Sequence, residues 1–183
     1  GLAHLSTEVL SSTDIGLPMG PAHTVALVPQ NVSALGEGLE ATESDIRLYV
    51  MLRESAHLRL FAHATWLRSA LIAAIDDFGR GMRIDTEAIE GRMQTIDPSN
   101  PQAIQEALAG GIFEPETTPA MQRARDRLEL LLALIEGWVD EVVSQATAST
   151  MPAAQALSEA MRRRRVTKGP AEDAFASLVG LEL

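Results

Sequence analysis

The segment Arg53-Glu54-Ser55-Ala56-His57 sets a carboxylate and an imidazole three residues apart. On a helix that spacing puts them on one face, about 60° apart around the axis. A glutamate beside a histidine offers a proton acceptor and a ligand nitrogen to one small volume, as acid–base or metal-assisted hydrolysis requires. A second pair, Glu136 and Asp140, lies four residues apart in Ile135-Glu136-Gly137-Trp138-Val139-Asp140 and also shares a face. These two acids interrupt the apolar run from Leu128 to Val143, so they must meet a cation, a hydrogen-bond network or a metal. Gly137 in mid-helix costs about 1 kcal/mol relative to alanine and predicts close approach by another backbone or group. Arg53 is a permanent cation without a lone pair to coordinate a metal; Glu54 and Glu136 are its candidate partners, and a buried ion pair with Glu136 is the expectation.

These groups need helices to position them. Glu43-Ser44-Asp45 opens a helix carrying Ile46, Tyr49, Val50, Leu52, Ala56, Leu60 and Phe61 at helical spacing. His63 follows His57 by six residues, which in a straight helix is a turn of about 240° and a rise of roughly 9 Å. It could share a metal with His57 only if the helix bent near Leu60; otherwise it helps to end the helix before Thr65. Thr65 is a plausible N-cap for a run from Trp66 to Phe78, stopped by Gly79 and Gly81. Short helices follow from Asp85 to about Gln94 and from Pro101 to about Ala109. Thr118-Pro119 opens the longest run, to about Ser144, with further helices over Pro152 to Arg164 and Pro170 to Leu178. Upstream, His23 to Val28 is the one convincing strand candidate, and Asn31 to Gly38 suits a helical turn. The expectation is a mostly α fold, a helical bundle with one or two short strands near the N-terminus. Residues 1–21, rich in Ser, Thr, Gly and Pro, read as a flexible arm or loop, and 22–183 as a single helical domain.

Composition narrows the function classes. Of 183 residues, 46% are hydrophobic but only 4% aromatic, so the core must be built from Leu, Ala, Ile, Val and Met. A net charge of -10 argues against nucleic acid as a partner. No apolar run approaches the roughly 20 residues of a membrane span, so no membrane partner is expected. The absence of cysteine excludes thiolate metal sites and cysteine nucleophiles and suits a cytoplasmic setting. Arg162-Arg163-Arg164-Arg165 with Lys168 is the one basic cluster and is expected to be a solvated helix end. Trp66 and Trp138 are expected in the core or as site walls, and no Gly-x-Ser-x-Gly elbow occurs.

Glu54 and His57 form three quarters of the zinc-protease signature His-Glu-x-x-His, with Arg53 in the place of the first histidine. On these residues, the strand region His23 to Val32, the helix Leu48 to Leu67 with Phe61 and Trp66-Leu67-Arg68, and the Glu136-Gly137 to Asp140 helix, the chain resembles the bacterial zincin-like metallopeptidases. Some members of that family are described as hydrolases or as associated with deazaflavin-cofactor biosynthesis. The resemblance implies a zincin-like helical domain with zinc as cofactor and a peptide or protein substrate. By position it implies Glu54 as general base, His57 and Glu136 as metal ligands, and Asp140 as their support. Arg53 leaves the first ligand missing, with His63 its candidate substitute. It also opens an alternative, a catalytically inactive scaffold or interaction module in which Arg53 replaces that ligand. Family members are longer and the chain does not begin with Met, so both ends are expected to be cut from a longer protein.

Overall fold

In a computed structural model, residues 9–14, 16–17, 21, 23–81, 105 and 118–166 are described. They are mostly helical: α1 (Pro29–Leu35), α2 (Glu43–His63), α3 (Thr65–Gly81), α4 (Pro119–Thr147) and α5 (Ala154–Val166). The expected helices at 85–94, 101–109 and 170–178 lie outside the described residues, Gln105 excepted.

Local chemistry accounts for the helix starts. Thr42 caps α2 by accepting the Asp45 N–H, and Glu43 and Asp45 place negative charge in the first turn, where the helix dipole favours it. Thr118 caps α4 by accepting the Met121 N–H, with Pro119 already holding a helical φ at the first position. α2 ends where Ala64 leaves helical geometry, although its N–H still donates to Leu60 O. α3 then begins at once and runs through Gly79 to Gly81, past the expected end at Phe78 and up to the second of the two glycines expected to stop it.

The expected strand is not formed. Residues 24–26 lack helical structure, and Leu27 makes an isolated antiparallel bridge with Ser11. The backbone bonds Ser12 N–H to Ala26 O and Val28 N–H to Leu10 O complete this short pairing. With so few ladder bonds a sheet does not propagate, and Pro29 turns the chain into α1 instead.

Two apolar clusters hold the helices. In one, Leu71, Ile75 and Phe78 of α3 pack against Leu128, Leu132 and Ile135 of α4. In the other, Tyr49 and Val50 of α2 meet Val139 and Val143 of α4 and Leu157 and Met161 of α5. The segment around the bridge residue Ser11 is part of this packing: Leu10, Thr13 and Leu17 are buried. Gly16 seats it against α4, having φ +78° and a position where a Cβ would come within 2.7 Å of Leu132 Cδ2. Residues 53–57 of α2 and 136–140 of α4 face each other next to the second cluster.

Candidate functional site

α2 buries charge among its apolar residues: Arg53, Glu54 and His57 are each 2–3% exposed. Their partners come from α4 and α5. The Arg53 guanidinium donates to Glu136 Oε2 at 2.5 Å and to Asp140 Oδ1. This is the Arg53–Glu136 pair expected from the sequence, widened to a fork across both α4 acids. Arg165 of α5 adds a second cation, pairing with Glu136 Oε2 and lying 3.2 Å from both Asp140 oxygens. Arg162 reaches Asp140 from further out, at 3.5 Å. His57 completes the cluster, with Nε2 3.0 Å from Glu136 Oε1 and Nδ1 3.0 Å from Arg53 O. Both of those partners are acceptors, so the ring meets both contacts fully only as a donor at each nitrogen.

The electrostatics follow from this packing. Burial pushes the Glu136 carboxyl up, but the His57 hydrogen bond and the Arg53, His57 and Arg165 charges outweigh it, and its pKa lies below the ordinary value. Asp140 shows the same balance: burial raises it, while Arg53 and Arg165 bring it down on balance. Desolvation acts to lower the Arg53 pKa, yet the neighbouring acids raise it overall. Both acids are therefore held as carboxylates by fixed cations.

Glu54 faces a different set of groups. Its Oε1 accepts from Ser11 Oγ and from Thr13 Oγ1, the latter at 2.5 Å, and its Oε2 accepts from Ser12 Oγ at 3.1 Å. Three consecutive hydroxyls thus solvate a buried carboxylate that has no cation against it among the described residues. The segment carrying them is tied to α5 by the Asp14–Arg164 ion pair at 2.9 Å. Between the two carboxylate environments lies a cavity of about 10 Å³ that Ser11, Glu54, His57, Glu136 and Arg165 help to line. That is room for about one water.

His63 is not brought into the cluster. α2 stays helical through Leu60, and His63 is exposed at its end, with Nδ1 2.8 Å from Arg59 O. It lines a separate groove with Trp66 and Trp138. The tryptophans are not core residues, being 60% and 41% exposed. Gly137, expected to admit a close neighbour, would carry a Cβ with nothing within 4 Å.

Sequence reasoning missed Arg165 and the Ser11–Thr13 hydroxyls. The basic cluster was expected to be solvated, but Arg164 and Arg165 turn inward to Asp14, Glu136 and Asp140. The signal that could have found Arg165 was the pair of acids on one face of α4, Glu136 and Asp140, set in an apolar run with Arg53 the one cation assigned to them.

A model of the family described as zincin-like metallopeptidase matches residues 1–183. The chain belongs to the zincin-like metallopeptidase family. No curated protein and no solved structure matches it. The family implies zinc in general, and the residues of this zincin-like site can be tested against it. Zinc takes at least three protein lone pairs at about 2 Å. Here both Glu136 oxygens are engaged, Nε2 of His57 is directed at one of them, and two guanidinium groups hold the other. Among the described residues no group of three or more His, Asp or Glu side chains is placed to hold a metal. The donor set as arranged does not fit zinc.

Proposed function

We propose that this zincin-like chain is a non-hydrolytic scaffold, an interaction module in which a buried ion-pair network replaces the metal centre. The observation that carries the reading is the position of Arg53, which is 3% exposed with its guanidinium on Glu136 and Asp140. A metal dication and a guanidinium fork do the same work for two buried carboxylates, neutralising them and fixing their geometry. With Arg53 and Arg165 already there, an added dication meets two positive charges and no free carboxylate oxygen on Glu136. The cavity is also far too small for a peptide, since binding pockets for small ligands usually exceed about 300 Å³.

Metal content tests this. Protein purified without chelator and then equilibrated with zinc should carry none at stoichiometric level. The variant Arg53→His restores His-Glu-x-x-His and should gain about one zinc per chain, held by residues 53, 57 and 136. About one zinc on the native chain, lost in His57→Ala, would overturn the proposal.

A second reading, zinc-dependent peptide hydrolysis with Glu54 as general base, draws on one observation: Glu54, His57 and Glu136 all line the water-sized cavity. Peptidase activity that disappears in Glu54→Gln, together with stoichiometric zinc, would favour it.

A further inference from the structure

α4 carries an apolar stripe that the described residues leave uncovered. Leu130, Leu134 and Trp138 are 60%, 59% and 41% exposed, spaced four residues apart along one side of the helix. Residues at that spacing form a continuous ridge, and large apolar ridges in water mark association surfaces. Charges bracket the ridge. Arg127 lies three residues before Leu130 and is exposed; among the described residues no ion pair engages its guanidinium. Glu141 lies three residues after Trp138 and, among the described residues, accepts only the Gln145 side-chain amide, at 2.7 Å.

We propose that this face of α4 binds a second copy of the same chain, antiparallel, about a two-fold axis through Leu134. Such an axis maps residue 134−n of one copy onto 134+n of the other, so every contact occurs twice. Leu134 meets its own equivalent. Leu130 meets Trp138 of the second copy, and Arg127 meets Glu141 of the second copy. Apolar residues thus fall on apolar ones at the centre, and opposite charges face each other at both ends. A parallel arrangement would instead set Arg127 against Arg127, which charge complementarity rejects. The groove beside Trp138, about 470 Å³ and walled by Trp66, Leu60 and Ala64, receives the incoming Leu130.

The test is the mass of the full chain in solution by sedimentation and light scattering at about 10–100 µM, a range in which dimers of micromolar affinity are populated. The expected mass is twice the 19.7 kDa of one chain. Leu134→Glu places two like charges on the axis and should give a monomer with an unchanged helical circular dichroism spectrum. Arg127→Glu and Glu141→Arg should each weaken the dimer about tenfold, because each creates two like-charge pairs, and the double variant should recover the native affinity. The chain has no cysteine, so Leu134→Cys supplies a unique thiol that should cross-link two copies on oxidation. A native chain that stays monomeric throughout the range would overturn the proposal. So would a dimer that persists in Leu134→Glu, or a double charge swap as weak as either single one.

Discussion

Replacing Arg53 with methionine isolates the charge at the centre of the site. Methionine keeps most of the apolar stem and volume, so the change is mainly the loss of the cation that meets Glu136 and Asp140. Removing one partner of a buried ion pair typically costs about 3–5 kcal/mol, because the other charge is left uncompensated. Here Glu136 keeps His57 and Arg165, and Asp140 keeps Arg165 and Arg162. The two acids are also 16% exposed, which lets water share the load. The expected loss is therefore about 2–3 kcal/mol at pH 7, read as a shift in urea midpoint at constant slope. For a chain of this length it corresponds to a fall in Tm of roughly 5–10 °C. The pH dependence adds a second constraint. Glu136 and Asp140 have folded pKa values below their ordinary ones, so their contribution is present above the unfolded carboxylate range, about pH 4, and is lost as pH falls through the folded values. The gap between native and variant should thus be full at neutral pH and close in acid. A variant within about 0.5 kcal/mol of the native protein at pH 7 would refute the reasoning, as would a gap that does not narrow at low pH.

Glu54→Ala should cost about 3 kcal/mol, since Ser11, Ser12 and Thr13 all lose their shared acceptor, while Glu54→Gln should cost less because an amide can still bond hydroxyls. Hydrogen exchange should speed up at the Ser12 and Val28 amides in the alanine variant, because the hydroxyl segment carries the bridge to Leu27; unchanged exchange there would separate the two features. Gly137→Ala should raise stability by roughly 0.5–1 kcal/mol in thermal or urea unfolding, because a Cβ there meets open space and the helix gains propensity. A loss instead would mean that something unseen among the described residues packs on that face of α4.

The helices were legible because their signals are local. The opening Glu43-Ser44-Asp45, Thr118 with Pro119, and the apolar spacing of α2 and α4 act within a few residues, and those elements stand close to where these features put them. The strand over 23–28 was not legible in the same way. Its apolar run from Val25 to Val28 suits a strand, but a strand needs a partner, and the described chain provides only the short stretch around Ser11. Gly79 shows the limit for helices, since the packing of Phe78 against α4 carries α3 past a residue that would stop an isolated one.

The site divides along the same line. Helical periodicity placed Glu54 with His57 and Glu136 with Asp140, and the cost of burying two acids in an apolar run demanded a cation, for which Arg53 was the candidate at hand. The sequence by itself therefore determined the pairs and the chemical need between them. Only the tertiary structure decided which side chains answer it: Arg165 arriving from α5, Ser11 to Thr13 folding over Glu54, and His63 turned to another groove. The physical reason is that periodicity sets the direction of a side chain around its own helix axis. The neighbour it meets depends on how separate elements pack, and no spacing within one element encodes that.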